Sequence, residues 1–439
     1  MKNEQKSHKV NDAFSNDGLP VNVASSIERA AKVEMAKEKA TSKNESIEII
    51  LKSKYTFRFN TIKCQPEFKI NEVNSVYKPI DKYVLNTLKR ELDSEFSITT
   101  TTDNLRSILE STFSLKVNPI DEYFRNLPEF DPDADYIKEF SQTVKVEDPI
   151  LFCEYFKKWI VAVVANALTK YGCQNHTALV FTGDQGKFKT TWLDLLCPQS
   201  LHQYIFTGKL NLQSKDTSSL IAEMFLINID DQLRQINNRD ENELKNLITT
   251  PSIKYRRPYD IYITEYPHTA SFMASVNGND FLTDPTGSRR FLPFEVLEID
   301  IEKAKEFNIN LVYSQAFYLY KNDFRYWFDE QDTAILHKNN QAFQMTSLEE
   351  QLLLEFFRVP ENKEEITHHL QPAMILEHIE KQTKNRLSLK KLGEALNKNG
   401  FKKIQKTDRN IKKWVWQVIR LELFEVDLAS QNKKDYSQS

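Results

Sequence analysis

The sequence predicts an α/β protein with a core of the phosphate-binding-loop type, a small α+β region before it, and a helical, winged-helix-like module after it. Three observations predict this class. A strand–loop–helix pattern runs from His176 to Trp192, two later β-favouring runs each end in polar residues, and basic residues concentrate near the C-terminus. Together they predict a ligand at one sheet edge and a cationic surface elsewhere.

Length and charge limit the classes of function. The chain has 439 residues, enough for two or three domains, and its formal charge of −3 excludes an overall basic field, so any nucleic-acid surface must be local. Few glycines (9) alongside 28 Phe and 17 Tyr favour a helix-rich, well-packed protein.

Cysteine spacing and hydropathy predict the compartment. The four cysteines (Cys64, Cys153, Cys173 and Cys197) lack C-x-x-C spacing, which predicts reduced thiols rather than zinc or disulfides. The N-terminus lacks a signal-like apolar stretch, and the longest apolar run, Trp159 to Leu168, is shorter than the ~20 residues of a bilayer span. We expect a soluble cytoplasmic protein without a membrane partner.

Changes of composition and periodicity predict seven segments. They are a disordered or helical tail (1–45), a small mixed α+β domain (46–120), a linker (121–147), a central α/β domain with the strand–loop–helix pattern (148–300), a helical lid or collar (301–360), a basic winged-helix-like module (372–428) and a disordered tail (429–439). Within the first domain, Ile47 to Ile70 predicts two strands around a turn. The prolines of PIDEYFRNLPEFDPDADY predict the linker.

The strand–loop–helix pattern reads HTALVFTGDQGKFKTTW. Loop N–H groups and a helix start that converge on an anion predict a phosphate-binding loop for ATP. The pattern matches G-x-x-x-x-G-K-[ST] except that Phe188 replaces the second glycine, which requires either an ordinary backbone there or stored strain. Lys189 would reach the β- and γ-phosphates, and Thr190 would hold Mg²⁺. The candidate ligand-binding positions are Gly183, Asp184, Gln185, Gly186, Lys187, Phe188, Lys189, Thr190 and Thr191. The alternative is a lysine-rich turn before a core helix.

Two later apolar runs end in polar side chains. Met224 to Ile229 precedes Asp230 and Asp231, and Ala270 to Val276 precedes Asn277. At the carboxyl edge of a sheet, Asp230 would hold Mg²⁺ through water, Asp231 would orient or deprotonate the attacking water, and Asn277 would sense the γ-phosphate. The alternative for the aspartates is an acidic turn that caps the next helix.

Two cationic segments lie on either side of the apolar run from Ala270 to Val276, which is the third such run after those that begin at Ala178 and Met224. Pro285 and Gly287 predict a turn that presents Arg289 and Arg290, a pair suited to phosphate charge or to a salt-bridged surface turn. The segment between the second and third runs interleaves tyrosines with basic residues and predicts a hairpin that contacts single-stranded DNA, or a decorated surface hairpin. Its candidate contacts are Lys245, Lys254, Arg256 and Arg257.

The C-terminal module is basic although the chain is slightly acidic. A helix capped by Ser388 and stopped by Gly400 follows another helix and precedes two β-like stretches, Phe401 to Gln405 and Lys413 to Ile419. This order is the outline of a winged helix. Its second helix carries three lysines that would approach DNA, although a protein-docking role with a solvated basic face is the alternative. They are Lys390, Lys391 and Lys398.

Five ordered motifs carry a family resemblance: GDQGKFKTTW, INIDDQ, KYRRPYD, SFMASVN and FLTDPTGSRRFLPFEV. The segment from about Pro119 to Glu298 resembles the virulence-associated E family of mobile-element proteins, which is related to the superfamily 3 helicases and poxvirus-type primase-helicases within the AAA+ ATPases. The resemblance implies an AAA+-like core with Lys189 and Thr190 as Walker A, Asp230 and Asp231 as Walker B, Asn277 as sensor, and Arg289 or Arg290 as arginine finger. Residues 245–257 fall where the related helicases place a DNA-engaging hairpin. Two positions depart from the pattern, since Asp231 stands in place of glutamate and His268 in place of arginine.

These observations lead to two hypotheses from different classes. The first is a DNA-dependent ATPase that uses ATP and Mg²⁺, a ring-forming helicase (a hexamer) or replication initiator of a bacterial mobile element or phage-like replicon, with single-stranded and origin-like duplex DNA as partners. The alternative is an ATP-gated DNA-binding or regulatory switch with little or no unwinding activity. A small-molecule kinase fits less well, because no lid arginines cluster near an acceptor pocket.

Overall fold

The computed structural model describes residues 42–72, 75–236, 238–257, 261–283, 288–383, 385–408 and 411–421. The chain divides into two compact units, Met1–Leu127 and Pro128–Ser439. The predicted tails fall outside the described residues, except that 42–45 begin the first helix. The predicted Pro285–Gly287 turn also lies outside them. Within the described residues, no helix combines the length and apolar character needed to cross a bilayer.

The first unit packs helices on a four-stranded sheet with strand order β3-β2-β1-β4. Its elements are α1 (Lys43–Lys54), β1 (Tyr55–Asn60), β2 (Gln65–Ile70), β3 (Lys78–Pro79), α2 (Lys82–Phe96), α3 (Thr102–Leu109), β4 (Leu115–Val117) and α4 (Pro119–Arg125). The expected mixed α+β composition is present. However, the residues from Ile47 to Lys54 are helical rather than extended, because Ile47, Ile50 and Leu51 share one buried helical face and Ser42 accepts the N-cap hydrogen bond from Glu45.

The segment predicted as a linker at 121–147 contains regular structure. It holds the end of α4, the helix α5 (Tyr136–Ser141) and the strand β5 (Val144–Val146). Pro119 occupies the first turn of α4 after the N-cap Asn118, a position where its missing N–H has no helical partner to lose. The prolines here therefore begin or flank elements rather than mark a flexible connection.

The second unit is built around a six-stranded sheet with strand order β5-β12-β6-β11-β8-β7. All neighbouring pairs are parallel except β5 with β12, which is antiparallel. The elements up to the last sheet strand are α6 (Pro149–Leu168), β6 (Ala178–Thr182), α7 (Lys189–Leu195), a 3₁₀ turn (Gln199–Tyr204), β7 (Ile205–Gly208), α8 (Lys215–Glu223), β8 (Leu226–Asp230), α9 (Asn238–Thr249), β9 (Ser252–Tyr255), β10 (Thr264–Pro267), β11 (Ser271–Ser275), a 3₁₀ turn (Ser288–Arg290) and β12 (Phe291–Ile299).

Both faces of this sheet are buried, which explains why its strands read as continuous apolar runs. On one face Phe181 of β6 packs against Trp192 of α7, and Phe152 of α6 contacts Phe294 of β12. On the other face, alternate strand residues pack with side chains of α8 and α9. The result is a mixed α/β fold in which β6 lies between β12 and β11, with β8 next beyond β11.

The predicted lid or collar at 301–360 is helical but divided between two places. Its elements are α10 (Ile301–Glu306), α11 (Ile309–Lys321), α12 (Glu330–Asn340), a 3₁₀ turn (Gln341–Phe343), α13 (Leu348–Phe356) and the short strand β13 (Phe357–Arg358). The α11 helix belongs to the sheet's helical layer, where Gln315 Oε1 accepts from the Ile137 N–H at 2.7 Å and Tyr313 donates to the Leu196 carbonyl at 2.9 Å. By contrast, Leu353 of α13 is buried in the C-terminal cluster.

The C-terminal part contains the predicted order of helix, helix and two strands. Its remaining elements are β14 (His368–Leu370), α14 (Pro372–Thr383), α15 (Leu389–Lys398), β15 (Lys403–Asp408) and β16 (Ile411–Arg420). Ser388 caps α15 and Gly400 follows it with a φ of +78°, as predicted. The strands β13, β14 and β15 all pair with β16, so the sheet is larger than the predicted two-stranded wing.

His268, which occupies the position expected for arginine, is a core residue. It lies between β10 and β11, is fully buried, and its Nδ1–H donates to the Thr250 carbonyl at 2.7 Å. Burial lowers the pKa of the imidazole from 6.5 to about 4, so the ring stays neutral in the folded chain. The residue is therefore a structural element of the turn before β11.

We predict that His268 makes the folded state sensitive to acid. The unfolded chain takes up the His268 proton at about pH 6.5 and the folded chain only near pH 4. Above pH 6.5 the imidazole is neutral in both states, so it does not lower the free energy of unfolding. As pH falls from 6.5 toward 4, proton uptake by the unfolded chain lowers that free energy by up to about 1.4 kcal/mol per pH unit. His268→Gln should flatten the dependence of the urea-unfolding free energy between pH 7 and pH 4.5. The exposed control His202→Gln should leave it unchanged, and an equal slope in both variants would contradict the assignment.

Candidate functional site

The loop between β6 and α7 has an unusual backbone. Gly183 and Gly186 have φ values of +117° and +86°, and Phe188 at the start of α7 has a φ of +57°. A Cβ on Gly183 would lie 3.0 Å from the Val296 carbonyl oxygen, so this position requires glycine. The sequence left either an ordinary backbone or stored strain at Phe188. Its left-handed conformation shows that the backbone there is strained. A left-handed non-glycine residue costs about 1–2 kcal/mol.

Lys189 turns its amine back into this loop. The side chain is buried, and Nζ donates to the carbonyls of Gly183 at 2.9 Å and Asp184 at 2.5 Å and to Asn277 Oδ1 at 3.3 Å. Burial is the main cause that lowers the pKa of Lys189, and the neighbouring Lys187 lowers it further. The amine is thus held at the loop by acceptors that a bound anion could replace.

Thr190, Asp230 and Ser275 bring three oxygen atoms together. Thr190 Oγ1 lies 2.9 Å from Asp230 Oδ1 and 2.9 Å from Ser275 Oγ, and Ser275 donates to the same Asp230 oxygen at 2.7 Å. Carboxylate and hydroxyl oxygens are ligands that Mg²⁺ accepts, and Mg²⁺ usually takes one or two carboxylates and completes its shell with water and phosphate. The residues therefore fit the predicted cation. Ser275 was missed by the sequence interpretation, although it stands two residues before Asn277.

Asp231 and Asn277 meet at the same edge. The Asn277 N–H donates to Asp231 Oδ1 at 3.2 Å, and the Asp231 N–H donates to the Ser275 carbonyl at 2.9 Å. Asp231 has a φ of +45°, so it is a second left-handed non-glycine residue in the site. The alternative of a simple capping turn does not describe it, because its carboxylate is bonded to the neighbouring strand's end.

Arg234 is a cation at this edge that the sequence interpretation missed. Its Nη1 donates to the Asn277 carbonyl at 3.3 Å, and its guanidinium forms a 3.0 Å ion pair with Asp280. Only its closeness to Asp230 and Asp231 in the sequence could have pointed to it. The other loop positions, Asp184, Gln185, Gly186 and Thr191, are exposed, while Lys187 pairs with Asp184 at 3.1 Å.

Arg289 and Arg290 lie away from the loop of their own chain. They precede β12, where Phe291 is aligned with Ala178 at the start of β6, whereas the loop follows the end of β6. The five residues of β6 separate these two levels by ~16 Å. Arg289 is exposed and Arg290 is partly buried. The structure therefore joins Lys189, Thr190, Asp230, Asp231 and Asn277, and it leaves the arginines at the opposite edge.

The predicted DNA hairpin consists of the antiparallel pair β9 and β10. Lys254 and Arg256 are exposed on it, although Lys254 lies 3.5 Å from Glu265. Arg257 is held against the body by a 3.2 Å ion pair with Glu223. The side of the hairpin that precedes β10 exposes three apolar residues, between 73 and 81% accessible, that the sequence interpretation missed: Ile261, Tyr262 and Ile263.

Lys245 was predicted to contact DNA, and this is wrong. It lies on α9 rather than on the hairpin, is buried, and forms a 2.7 Å ion pair with Glu241 one helical turn earlier. Glu241 also accepts hydrogen bonds from the Thr283 N–H and hydroxyl. Sequence spacing alone could not show that this lysine faces the core.

The three lysines of α15 differ in their availability. Lys390 and Lys391 are exposed, and Lys390 lies 3.9 Å from Glu394. Lys398 instead forms a 2.8 Å ion pair with Glu350 of α13. All three lysines are exposed on α15, but the Lys398 amine is paired with a carboxylate of another helix.

Comparison with known proteins gives a family match and weak structural likenesses. Residues 127–345, which contain Lys189, Thr190, Asp230, Asp231 and Asn277, match the Virulence-associated protein E-like domain. The chain is similar to the apo structure of the NrS-1 C terminal region, with a TM-score of 0.44 and 11% identity over 85% of this chain and 98% of that chain. The A form apo structure of the same region has a TM-score of 0.42 and 13% identity over 86% and 99%. No curated protein matches the chain.

We predict that Lys245 stabilises the fold. Lys245→Ala leaves the Glu241 carboxylate buried without its cation, which should lower the free energy of unfolding by about 3–5 kcal/mol in urea denaturation. The exposed control Lys254→Ala should cost less than about 1 kcal/mol. A Lys245→Ala protein of normal stability with weakened DNA binding would restore the DNA-contact assignment.

Proposed function

Because the chain carries a virulence-associated protein E-like domain, we propose that it is a replication-related, DNA-dependent ATPase with an AAA+-like core. One observation carries the proposal most directly. Three separate parts of the sequence supply Lys189, Thr190, Asp230, Asp231 and Asn277. Hydrogen bonds among them and through Ser275 join them in one group at the carboxyl edge of the sheet. Polar groups at this edge, beside a glycine-containing loop, suit a nucleoside triphosphate.

In this proposal each side chain has a separate role toward ATP. Lys189 would exchange its carbonyl contacts for the β- and γ-phosphate oxygens, and Thr190 and Asp230 would hold Mg²⁺, which supplies positive charge to the phosphates when it is bound. Asp231 would accept a proton from, or orient, the attacking water, with its carboxylate positioned by the Asn277 N–H. Asn277 would sense the γ-phosphate through the amide that now contacts Lys189.

The positions of Arg289 and Arg290 favour action in trans. Since they lie at the opposite end of β6 from the loop, they cannot stabilise phosphate charge in their own chain without a large rearrangement. A neighbouring copy in a ring, with a hexamer as the expected state, would bring its loop to them. The guanidinium groups of one chain would then bind the phosphates held by the loop of the neighbouring chain.

Two exposed surfaces support DNA as the partner. On the hairpin, Lys254 and Arg256 accompany the exposed ring of Tyr262, a combination that fits the phosphates and bases of a single strand. On the C-terminal module, which we propose is winged-helix-like, Lys390 and Lys391 would approach duplex DNA of an origin. Helicase or initiator activity on a mobile element's DNA is the proposed use of these surfaces.

A second candidate is an ATP-gated DNA-binding or regulatory switch with little or no unwinding. It is favoured by Asp231, which is one methylene shorter than the usual glutamate, and by the left-handed Phe188 in the loop. A shortened Asp231 affects hydrolysis more directly than binding, because its carboxylate would act on the attacking water. Strand displacement that depends on ATP would exclude this candidate.

We predict that Lys189→Ala lowers ATP turnover by roughly two orders of magnitude or more, because it removes the amine that stabilises the transferred phosphate's charge. Turnover should be measured with and without single-stranded DNA, together with native mass. Lys145→Ala, at an exposed lysine of the same unit, is the control and should keep full turnover. A monomer whose turnover ignores DNA would defeat the helicase proposal, and equal turnover in both variants would defeat the assignment of the loop.

We predict that Tyr262→Ala weakens DNA stimulation while basal turnover persists. Loss of one base–aromatic stack should raise the single-stranded DNA concentration for half-maximal stimulation by roughly five- to a hundredfold. Tyr171→Ala, at another exposed tyrosine of the same unit, should change nothing. If both variants respond to DNA as the parent does, the hairpin is not the single-strand contact.

A further inference from the structure

A cavity of about 450 Å³ lies at the edge of the sheet opposite the loop. Its walls are the segment before β6 (174–177), the arginine pair before β12 (289–290) and an aromatic segment before α12 (326–328). Since the loop follows the carboxyl end of β6, this cavity is separate from the proposed ATP site of the same chain. None of its lining is explained by the proposed hydrolysis within one chain.

The lining is rich in donors and carries positive charge. No carboxylate lines it within the described residues, whereas Arg289 and Arg290 both do. The buried Asp332, which precedes the lining residue Thr333, is paired with Lys158 at 2.8 Å and with Arg325 at 3.3 Å. A ligand for these walls should therefore be an anion with several acceptor atoms.

One buried amide in the cavity lacks an acceptor. Asn175 is 2% exposed and lines the cavity, and its Oδ1 accepts from the N–H and hydroxyl of Thr177 at 3.2 and 3.0 Å. Its Nδ2 has no hydrogen-bond partner among the described residues. Because a buried donor without a partner is costly, this amide is an independent sign that a ligand acceptor completes the site.

Trp327 provides a flat face at the rim of the cavity. Its side chain is 58% exposed, while the neighbouring Tyr326 donates to Gln174 Oε1 at 3.0 Å. The residues that follow are held by the capping box of Asp329 and Asp332 at the start of α12. The indole is thus exposed on a segment whose position is set on both sides, which suits stacking with a planar ring.

We propose that this cavity binds a nucleotide unit, with its phosphate at Arg289 and Arg290 and its base against Trp327. An anion that carries a planar aromatic ring matches both the guanidinium pair and the indole. A free nucleotide, a nucleotide of a single DNA strand, and the nucleotide held by a neighbouring copy share this chemistry. The proposal does not require ATP at the loop of the same chain, so it can hold even if the proposed hydrolysis fails.

The test uses the intrinsic fluorescence of Trp327. Of the other tryptophans, Trp159, Trp192 and Trp416 are buried, and Trp414 is exposed. In full-length protein with Trp414→Phe, the indole of Trp327 therefore reports on solvent-accessible binding. ATP in EDTA, an oligothymidylate, and tripolyphosphate are titrated separately, with and without Lys189→Ala, and isothermal titration calorimetry measures the same affinities.

Saturable quenching by ATP or the oligonucleotide supports the proposal, and tripolyphosphate should compete without quenching. Arg289→Ala and Arg290→Ala should each weaken binding about tenfold or more, whereas Arg106→Ala, an exposed arginine of the first unit, should have no effect. Trp327→Ala should weaken calorimetric affinity roughly five- to a hundredfold and Trp327→Phe should restore most of it.

The separate titrations, with and without Lys189→Ala, also distinguish the source of the nucleotide. Quenching by ATP that survives Lys189→Ala identifies a free nucleotide, quenching by the oligonucleotide alone identifies DNA, and quenching by ATP that requires Lys189 identifies the nucleotide of a neighbouring loop. The proposal is overturned if no ligand quenches Trp327 in either background. It is also overturned if affinity is the same after both arginines are replaced, with thermal unfolding used to confirm that the variants are folded.

Discussion

The site depends on the register of three parallel strands. Ser275 of β11 is aligned with Phe181 of β6 on one side and with Asp230 of β8 on the other. The alignment continues past the strand ends, where the Val276 N–H donates to the Phe181 carbonyl at 2.8 Å and the Gly278 N–H to the Gly183 carbonyl at 3.1 Å. A shift of one residue would move the polar side chains to the other face of the sheet and separate them.

The surrounding strands hold two residues of the site in backbone conformations that are unfavourable in free energy. Phe188 and Asp231 both adopt left-handed conformations, at about 1–2 kcal/mol each for residues with a Cβ. Lys189 also loses hydration when it is buried. Such conformations persist where surrounding structure determines them, and here the Asp231 N–H and carboxylate are both bonded to residues 275–277. Two of the five left-handed non-glycine residues in the described part of the chain thus lie at the edge where the proposed chemistry occurs.

Cationic side chains with similar sequence surroundings have different structural roles. Lys245 is buried against Glu241, Arg257 is paired with Glu223, and Lys398 is paired with Glu350. Lys254 and Arg256 remain exposed on the hairpin. Loss of Lys245 would leave the Glu241 charge buried without its partner, which is strongly destabilising, whereas an exposed cation contributes little to stability and is available to a polyanion. The distinction separates structural cations from candidate DNA contacts.

The sequence by itself determined the order of strand, loop and helix at 176–192, the polar ends of the two later strands, and the helix capped by Ser388. These features depend on local periodicity and capping, which neighbouring residues specify. Tertiary structure decided the rest. Helical packing of Ile47, Ile50 and Leu51 made the predicted first strand a helix, and pairing with β12 made part of the predicted linker a strand. Packing between distant segments likewise determined the burial of Lys245, the contacts of Ser275 and Arg234, and the separation of Arg289 and Arg290 from the loop. Such contacts are not encoded in any local sequence pattern.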